Sequence, residues 1–365
     1  MVKSEKLELK SYNMGNQNII VTGGSGFIGS NFIRYILAEE NVKIINIDNL
    51  SYAGNLITTK DFKSHSNYKF IKGSINDRKL IEEIFKNFQP NVLINFAAES
   101  HVDRSIDDSS NFINTNILGT FNLLEISRRY FFSLKDSNFK FIHISTDEVF
   151  GSVENNLKFN EYTAYNPSSP YSASKASSDH LVRAWYKTYK LPTIITNCSN
   201  NYGPFQYPEK LIPLSIINAL SGNDIRIYGD GKQVRDWLHV NDHVSALKEI
   251  INRGQIGSTY NIGGENLITN IDLIHKICNL LNAIKPKNNK YSYKELIKFV
   301  SDRPGHDQMY AVDTTKIKRE LNWKPQISIE QGLRDTIDWY LTNQEWCKSV
   351  TENIYDYDRL GAKDQ

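Results

Sequence analysis

With 365 residues the chain exceeds one typical domain, so two lobes, or one large domain with an appendage, is the starting expectation. Its 43 Lys and Arg against 41 Asp and Glu leave a formal charge of +2 with no block of like charge, which argues against nucleic acid or an anionic membrane as partner and for a small molecule. Cys198, Cys278 and Cys347 lie far apart with no C-x-x-C spacing, which argues against a disulfide framework or structural zinc and for a reducing compartment in which all three are inert packing residues.

The first residues, MVKSEKLELKSYN, lack the apolar run of a signal peptide, and no later segment approaches the roughly 20 apolar residues that span a bilayer. A soluble, cytoplasmic protein is expected, with residues 1–17 a flexible extension or an artefact of start-site choice ahead of Met14. From there short apolar runs alternate with helical patterns. NIIVTG, KIINID, YKFIKGSI, NVLINFAA, KFIHIST and TIITNCSN read as buried strands, spaced by helices such as RKLIEEIFKNF and NTNILGTFNLLEISRRY. That alternation predicts an α/β fold with a doubly wound parallel sheet of the Rossmann type over residues 18–203, with 234–265 returning to it. After about Tyr202 the rhythm loosens into the turn-rich GPFQYPEKLIP and then the helices LSIINALSG, NIDLIHKICNLLNAI and SIEQGLRDTIDWYLTN. Residues 204–233 and 266–345 are therefore expected to form a smaller, mainly helical substrate-binding lobe, and 346–365 a tail. Ligands of such sheets bind beyond the carboxyl ends of the strands, in the crevice between the lobes.

The first strand runs into TGGSGFIGSNF. Gly23, Gly26 and Gly29 are spaced three and three, while Gly24, Gly26 and Gly29 satisfy G-x-G-x-x-G. Between a strand and a helix, such glycines permit a tight turn and let backbone N–H groups approach a pyrophosphate at the helix N-terminus. The second strand ends in Asp48, 19 residues past Gly29, where a carboxylate accepts both ribose hydroxyls and repels a 2'-phosphate, which favours NAD over NADP. Further on, Thr146, Asp147 and Glu148 follow the strand KFIHIS, placing two adjacent acids at the sheet edge. The same triplet also suits a helix N-cap. In PYSASKASSDHLVRAWYKTY, Tyr171 and Lys175 stand four apart on one helix face, where a cation stabilises a phenolate and lowers the tyrosine pKa. Alone, that pattern also describes a packed Tyr beside a solvated Lys; behind a dinucleotide fingerprint it reads as a general base. His239 and His243, at i and i+4, have no third ligand close in sequence, so a structural role is expected for both rather than a metal site.

The glycine motif followed by Tyr171-x-x-x-Lys175 resembles the extended short-chain dehydrogenase/reductase family, whose members act on nucleotide sugars with bound NAD or NADP. The blocks DNLSYAGN, NFAAESHVDRSI, STDEVFG, SNNYGPFQYPEKLIP, GDGKQVRDWLHVNDH and DRPGHDQMYAVD extend the similarity, from Ile19 to near Leu360, to the dTDP-glucose 4,6-dehydratases. That resemblance implies a hydro-lyase that oxidises C4 of the hexose of dTDP-glucose, eliminates water across C5 and C6 and returns the hydride to C6, serving deoxysugar biosynthesis such as the rhamnose pathway. Elimination needs one ionised and one protonated carboxyl, a split that neighbouring acids can hold. The resemblance makes Glu148 the base at C5 and Asp147 the acid at the C6 hydroxyl. It places Thr146 on the C4 oxygen, Tyr171 as the acceptor of its proton and Lys175 on the nicotinamide ribose.

The same resemblance implies NAD contacts from Gly23, Gly26, Phe27, Ile28, Gly29, Asp48, Ser74, Ile75 and Ala97. Contacts to the nucleotide sugar are implied for Ser100, Asn200, Glu209, Lys210, Arg235 and Asn270, with Arg303 and His306 gripping the diphosphate. It further implies a homodimer through a four-helix bundle built from NFINTNILGTFNLLEISRRY and HLVRAWYKTYKL. Two positions depart from the pattern. Phe150 stands where the family usually has tyrosine, and Ser74 where it commonly has an aspartate that bonds the adenine amino group; Asp77, three residues on, suits a helix start instead. Among rivals, a nucleotide-sugar 4-epimerase would have no use for Asp147 and Glu148, a UDP-hexose dehydratase would differ only at the base pocket, and a non-catalytic NAD-binding protein would have lost part of the proton machinery.

Overall fold

The computed structural model describes residues 17–39, 41–134, 138–153, 157–286, 292–302 and 304–352. In chain order the strands are β1 (Gln17–Thr22), β2 (Val42–Asp48), β3 (Tyr68–Lys72), β4 (Val92–Asn95), β5 (Lys140–Thr146), β6 (Thr193–Cys198), β7 (Asn200–Tyr202), β8 (Ile225–Tyr228), β9 (Val234–His239), β10 (Thr259–Ile262), β11 (Leu267–Thr269) and β12 (Ile297–Val300). The helices are α1 (Phe27–Leu37), α2 (Arg78–Phe88), α3 (Val102–Asp107), α4 (Ser110–Phe112), α5 (Thr120–Ser133), α6 (Pro170–Tyr189), α7 (Leu211–Ser221), α8 (Val240–Arg253), α9 (Asn270–Ile284), α10 (Thr315–Leu321), α11 (Ile329–Thr342) and α12 (Gln344–Thr351).

The expected doubly wound parallel sheet is present, in the order β10-β6-β5-β4-β1-β2-β3. Its strands are apolar on both faces because helices cover both: β4 and β6 are buried at every residue. The helices start where the sequence can satisfy their first N–H groups. Asp77 accepts from Leu80 N at the head of α2, and Ser169 with Ser172 forms a capping box ahead of Pro170 at the head of α6. One strand of this sheet escaped the sequence reading. TYNI, at 259–262, is only four residues long, yet it pairs in parallel with β6 (Thr259 with Ile195) and closes that edge.

Between β3 and β4 the chain crosses from one side of β1 to the other, so the crevice opens above the carboxyl ends of β1 and β4. Gly23 follows the first end directly, and Ala97 stands two residues past the second. A seven-residue π-helical stretch, Ile113–Gly119, links α4 to α5 at the crevice wall. Its Asn116 side chain bonds both the N–H (2.9 Å) and the carbonyl (3.0 Å) of Glu99 and reaches Ser174 Oγ on α6 at 2.8 Å. An extra residue in a helical turn aims that side chain inward, a frequent use of π geometry.

A second core, built on Ile212, Ile216, Leu273, Ile277, Leu333 and Ile337, holds α7, α9 and α11 together. Two small sheets adjoin it, β11-β9-β7 and β12-β8, so β9 pairs outside the parallel sheet whereas β10 lies in it. A strap at 307–313 joins the pieces: Val234 N donates to Gln308 O and Val153 N to Met309 O, tying β9 to the loop that follows β5. α12 crosses the boundary drawn at 345/346. Its Trp346 is buried and donates Nε1–H to Thr58 Oγ1 at 3.1 Å. The expected N-terminal extension lies outside the described residues except Gln17, which opens β1, as does the tail from 353 onward. Among the described residues, no helix is long and apolar enough to cross a membrane.

Candidate active site

Gly23 has φ 72°, left-handed backbone that favours glycine, and a Cβ there would lie 2.6 Å from Ala97 N. A Cβ on Gly29 would overlap the Gly23 carbonyl. Gly26 differs: its nearest neighbour to a Cβ is Gly23 O at 3.4 Å, so that side opens on the crevice. Gly26 also N-caps α1 without a side-chain bond, which leaves the first-turn N–H groups for an anion. Of the two glycine registers, Gly23, Gly26 and Gly29 line the crevice, while Gly24 turns its N–H to Asn46 Oδ1 at 3.0 Å. Asp48 ends β2 with Oδ2 accepting from Ser25 N (2.9 Å) and Oδ1 from Leu50 N (2.8 Å), its carboxyl pushed up by burial. This glycine cradle, the uncapped α1 terminus and the carboxylate at the β2 end fit a dinucleotide with free ribose hydroxyls.

Phe27, Ile28, Ser74, Ile75 and Ala97 line the same crevice. Ser74 accepts Asn76 N–H on its hydroxyl at 3.1 Å, and Asp77, as expected, caps α2. Phe150 is buried, stacked on Phe159 with ring centroids 5.1 Å apart, so the hydroxyl missing there is replaced by apolar packing.

At the end of β5 both readings of the Thr146–Glu148 triplet hold at once. Thr146 Oγ1 accepts Glu148 N–H at 3.2 Å, capping a 3-10 turn over Asp147–Phe150, and the turn delivers both carboxyls to the crevice. Asp147 is 1% exposed, and its Oδ2 has no hydrogen-bond partner among the described residues. Burial, then the Glu148 charge, then Asp236 raise its pKa well above the usual range, so it holds a proton. Glu148 is less buried. Tyr171 and Lys175 face the same cleft from α6.

The structure differs from the expected depression of the Tyr171 pKa. Burial raises the phenol well above 10, and the Glu148 carboxylate and Cys198 raise it further, while the Thr146 hydroxyl works the other way. Lys175 is buried with its ammonium donated to Ile144 O at 2.8 Å, and burial lowers its own pKa.

Ser100, Asn200, Glu209 and Lys210 line the far half of the cleft. Lys210 Nζ donates to Ser100 O at 3.1 Å, Arg104 Nε to Glu209 Oε2 at 3.0 Å, and Asn200 Oδ1 is buried without a partner among the described residues. Three expected substrate residues stand outside that lining. Arg235 donates to the carbonyls of Val234 (2.9 Å), Gln308 (3.4 Å) and Asp307 (2.9 Å) and lies over the Tyr310 ring; Asn270 opens α9; and His306 Nδ1 lies 2.6 Å from Asp302 Oδ1. Arg303 lies outside the described residues. His239 caps α8 through Nδ1, and His243 Nδ1 bonds Asn201 Oδ1 at 2.9 Å, structural work for both. The cysteines are free and buried, although Cys198 also lines the crevice. Tyr52, Glu99, Arg104, Asp179 and Tyr310 were not singled out from sequence. All five sit inside the quoted blocks, and the four-residue step from Lys175 to Asp179 was the one spacing signal available.

Comparison with known proteins agrees with this geometry. A family profile described as GDP-mannose 4,6 dehydratase matches residues 20–336. A dTDP-glucose 4,6-dehydratase of Salmonella typhimurium is 53% identical over 349 residues, covering 92% of this chain and 96% of its own length. The crystal structure of the Bacillus anthracis dTDP-glucose 4,6-dehydratase in complex with NAD superposes with TM-score 0.82 at 46% identity, covering 92% of this chain and 99% of that one. The Streptomyces venezuelae dTDP-glucose 4,6-dehydratase, also with NAD bound, gives TM-score 0.83 at 39% identity, covering 91% and 99%. The chain belongs to the family of dTDP-glucose 4,6-dehydratases.

Proposed function

We propose that the protein is a hydro-lyase that converts dTDP-glucose to dTDP-4-keto-6-deoxyglucose with NAD as resident cofactor. The observation that carries the reading is the unequal pair at the end of β5: a buried Asp147 with an unpartnered Oδ2, whose pKa burial raises, beside a more accessible Glu148, both in the cleft that Tyr171 and Lys175 line. When bound along the Gly23–Gly29 turn and Asp48, NAD supplies the hydride acceptor and donor that the reaction needs. Tyr171 takes the proton of the C4 hydroxyl. Its phenolate is costly here, and the Thr146 hydroxyl offsets part of that cost. Glu148 then takes the C5 proton, and Asp147 delivers its proton to the C6 hydroxyl, which departs as water. An epimerase needs neither carboxyl.

Ser100, Asn200, Glu209, Lys210, Arg235 and Asn270 hold the sugar nucleotide, with Arg303 and His306 gripping its diphosphate. The assembly is a homodimer. Ile113, Leu118 and Phe121 on the π-helical stretch and α5 are 45, 50 and 42% exposed, and Tyr189 at the end of α6 is 37% exposed, a shared apolar face suited to pairing across a two-fold axis.

The test is dTDP-glucose deuterated at C4. The product should carry that deuterium at C6 of the same molecule and solvent hydrogen at C5. Loss of the label to unlabelled substrate, or absence of a 4-keto-6-deoxy sugar, overturns the reading. Because thymine and uracil differ by one methyl, worth about 1–3 kcal/mol in an apolar pocket, UDP-glucose should compete at roughly 10- to 100-fold lower kcat/KM.

A further inference from the structure

Beneath the cleft lies a carboxylate that the reaction as written does not use. Asp179 on α6 is 0% exposed and one turn beyond Lys175, on the same helix face. Its Oδ2 accepts from Ser145 Oγ at 2.8 Å, from Tyr165 Oη at 2.8 Å and from Asn197 Nδ2 at 3.3 Å. Ser145 immediately precedes Thr146, and the same Asn197 amide donates to Thr146 O at 3.0 Å. Lys175, for its part, bonds Ile144 O. The end of β5 is thus held against α6 from both sides of Ser145.

A fully buried carboxylate is costly unless its charge is matched. His143 Nε2 lies 3.4 Å from Asp179 Oδ1 and 3.1 Å from Ser178 Oγ, but its ring is buried and its pKa falls to about 4, so at neutral pH it brings no charge to the carboxylate. Arg183 donates to the Tyr165 hydroxyl at 2.6 Å, so its charge reaches Asp179 only through that phenol. Cys198, facing from β6, is pushed up to about 12 and stays neutral, while Asp147 and Glu148 lie on the cleft side. The Lys175 ammonium, one turn away on the same helix, is a buried cation that acts on Asp179 through its charge. Neutral acceptors would satisfy the hydroxyl and amide donors equally well; a buried ammonium nearby is what calls for an anion.

We propose that Asp179 is a positioning residue of this site, clamping the strand end that carries Thr146, Asp147 and Glu148 onto the helix turn that carries Lys175 and serving as the counter-charge of that lysine. The inference rests on the roles given above to Lys175 and the β5 turn.

The experiment follows the 13Cε resonance of Lys175 in lysine-labelled protein, identified by its loss in Lys175→Met. Asp179→Asn should move the Lys175 titration midpoint down by about one pH unit or more, because the ammonium loses its partner. The alkaline limb of kcat should move down with it, and kcat should fall about tenfold with KM within twofold. Asp179→Glu should restore the midpoint. A folded Asp179→Asn protein with an unmoved Lys175 midpoint overturns the proposal, even if its melting temperature has dropped. Should Asp179→Asn fail to fold, Ser145→Ala decides: it keeps the charge and removes one bond of the clamp, so kcat should fall roughly three- to tenfold at constant KM, and a normal kcat overturns the clamp. Normal turnover by Lys175→Met would instead sink the catalytic reading of Lys175, while the carbon titration would still report on Asp179.

Discussion

Asp147 and Glu148 are neighbours in the chain but not in environment: the Asp147 carboxyl is 1% exposed with a bare Oδ2, whereas Glu148 keeps access to the cleft and has its backbone N–H tied to Thr146 Oγ1. Two carboxyls this close resist double ionisation, and the desolvated one keeps the proton. The pair therefore titrates as a unit whose middle state, acid at 147 and base at 148, is the one elimination needs. As pH rises through the raised Asp147 pKa that state is lost, so the pair contributes to an alkaline decline in elimination alongside the titration of Lys175.

Replacing Glu148 with Gln should separate the half-reactions. Tyr171 still accepts the C4 proton, so reduced-nicotinamide absorbance at 340 nm should build up on mixing with substrate, while release of the 4-keto-6-deoxy sugar falls about 10²- to 10⁴-fold. Tyr171→Phe should show neither signal. A Glu148→Gln protein turning over normally would remove Glu148 as the C5 base.

Gly29→Ala probes the cradle. The added Cβ meets the Gly23 carbonyl and lies 2.9 Å from Gly24 Cα, both backbone, so the turn itself must shift. We expect a loss of about 1–3 kcal/mol in stability and purified protein largely free of NAD, read by mass spectrometry of the nucleotide released on denaturation. Normal NAD content would mean that the turn has slack that the structure does not show.

The parallel sheet was legible because its strands are buried on both faces and read as unbroken apolar runs. β10 was not, since four residues between a turn and a glycine pair carry no period. The cleft was legible where one motif sits on one element: Gly23–Gly29, Asp48, Thr146–Glu148 and Tyr171 with Lys175. What sequence missed are groups whose meaning depends on pairing across the fold. The Tyr171 pKa was read from its helix neighbour Lys175, but burial and Glu148, on a different element, push it the other way. Tyr310 was read as part of a block, yet its place under Arg235, 4.3 Å from the guanidinium carbon to the ring centroid, comes from the strap at 307–313 crossing β9.

Ser74 offers a gain-of-function check. Its hydroxyl is a neutral acceptor already engaged by Asn76 N–H, on the crevice wall where the resemblance puts the adenine. Ser74→Asp should slow NAD loss on dialysis about fivefold, since a charged acceptor adds roughly 1 kcal/mol over a neutral one. Unchanged or faster loss would place the adenine elsewhere.

The exposed apolar face tests the assembly. Leu118→Glu and Phe121→Glu sit on the surface of one helical stretch and should leave the core untouched. Light scattering should report about twice the chain mass for the parent protein and one chain mass for the double variant. A parent protein that is monomeric at micromolar concentration counts against the dimer, as does a double variant that stays paired.

Acid stability should depend on buried histidines that take no part in the proposed proton transfers. His243 is 0% exposed with Nδ1 on Asn201, and burial lowers its pKa to about 3; His143 falls to about 4 for the same reason. A folded-state pKa below the unfolded value of roughly 6.5 means that the unfolded chain binds the proton first. The stabilisation is therefore complete above pH 6.5 and is lost as pH falls toward the folded values. Each such histidine adds up to about 1.4 kcal/mol per pH unit to the slope of unfolding free energy in that window. His243→Gln keeps an amide donor for Asn201 but cannot charge. Urea unfolding between pH 7.5 and 5 should show the variant less stable than the parent at pH 7.5 but with a shallower decline, so that the two curves converge in acid. Parallel declines would mean that His243 is charged in the folded protein or never becomes charged on unfolding, and the assignment of its buried neutral state would fall.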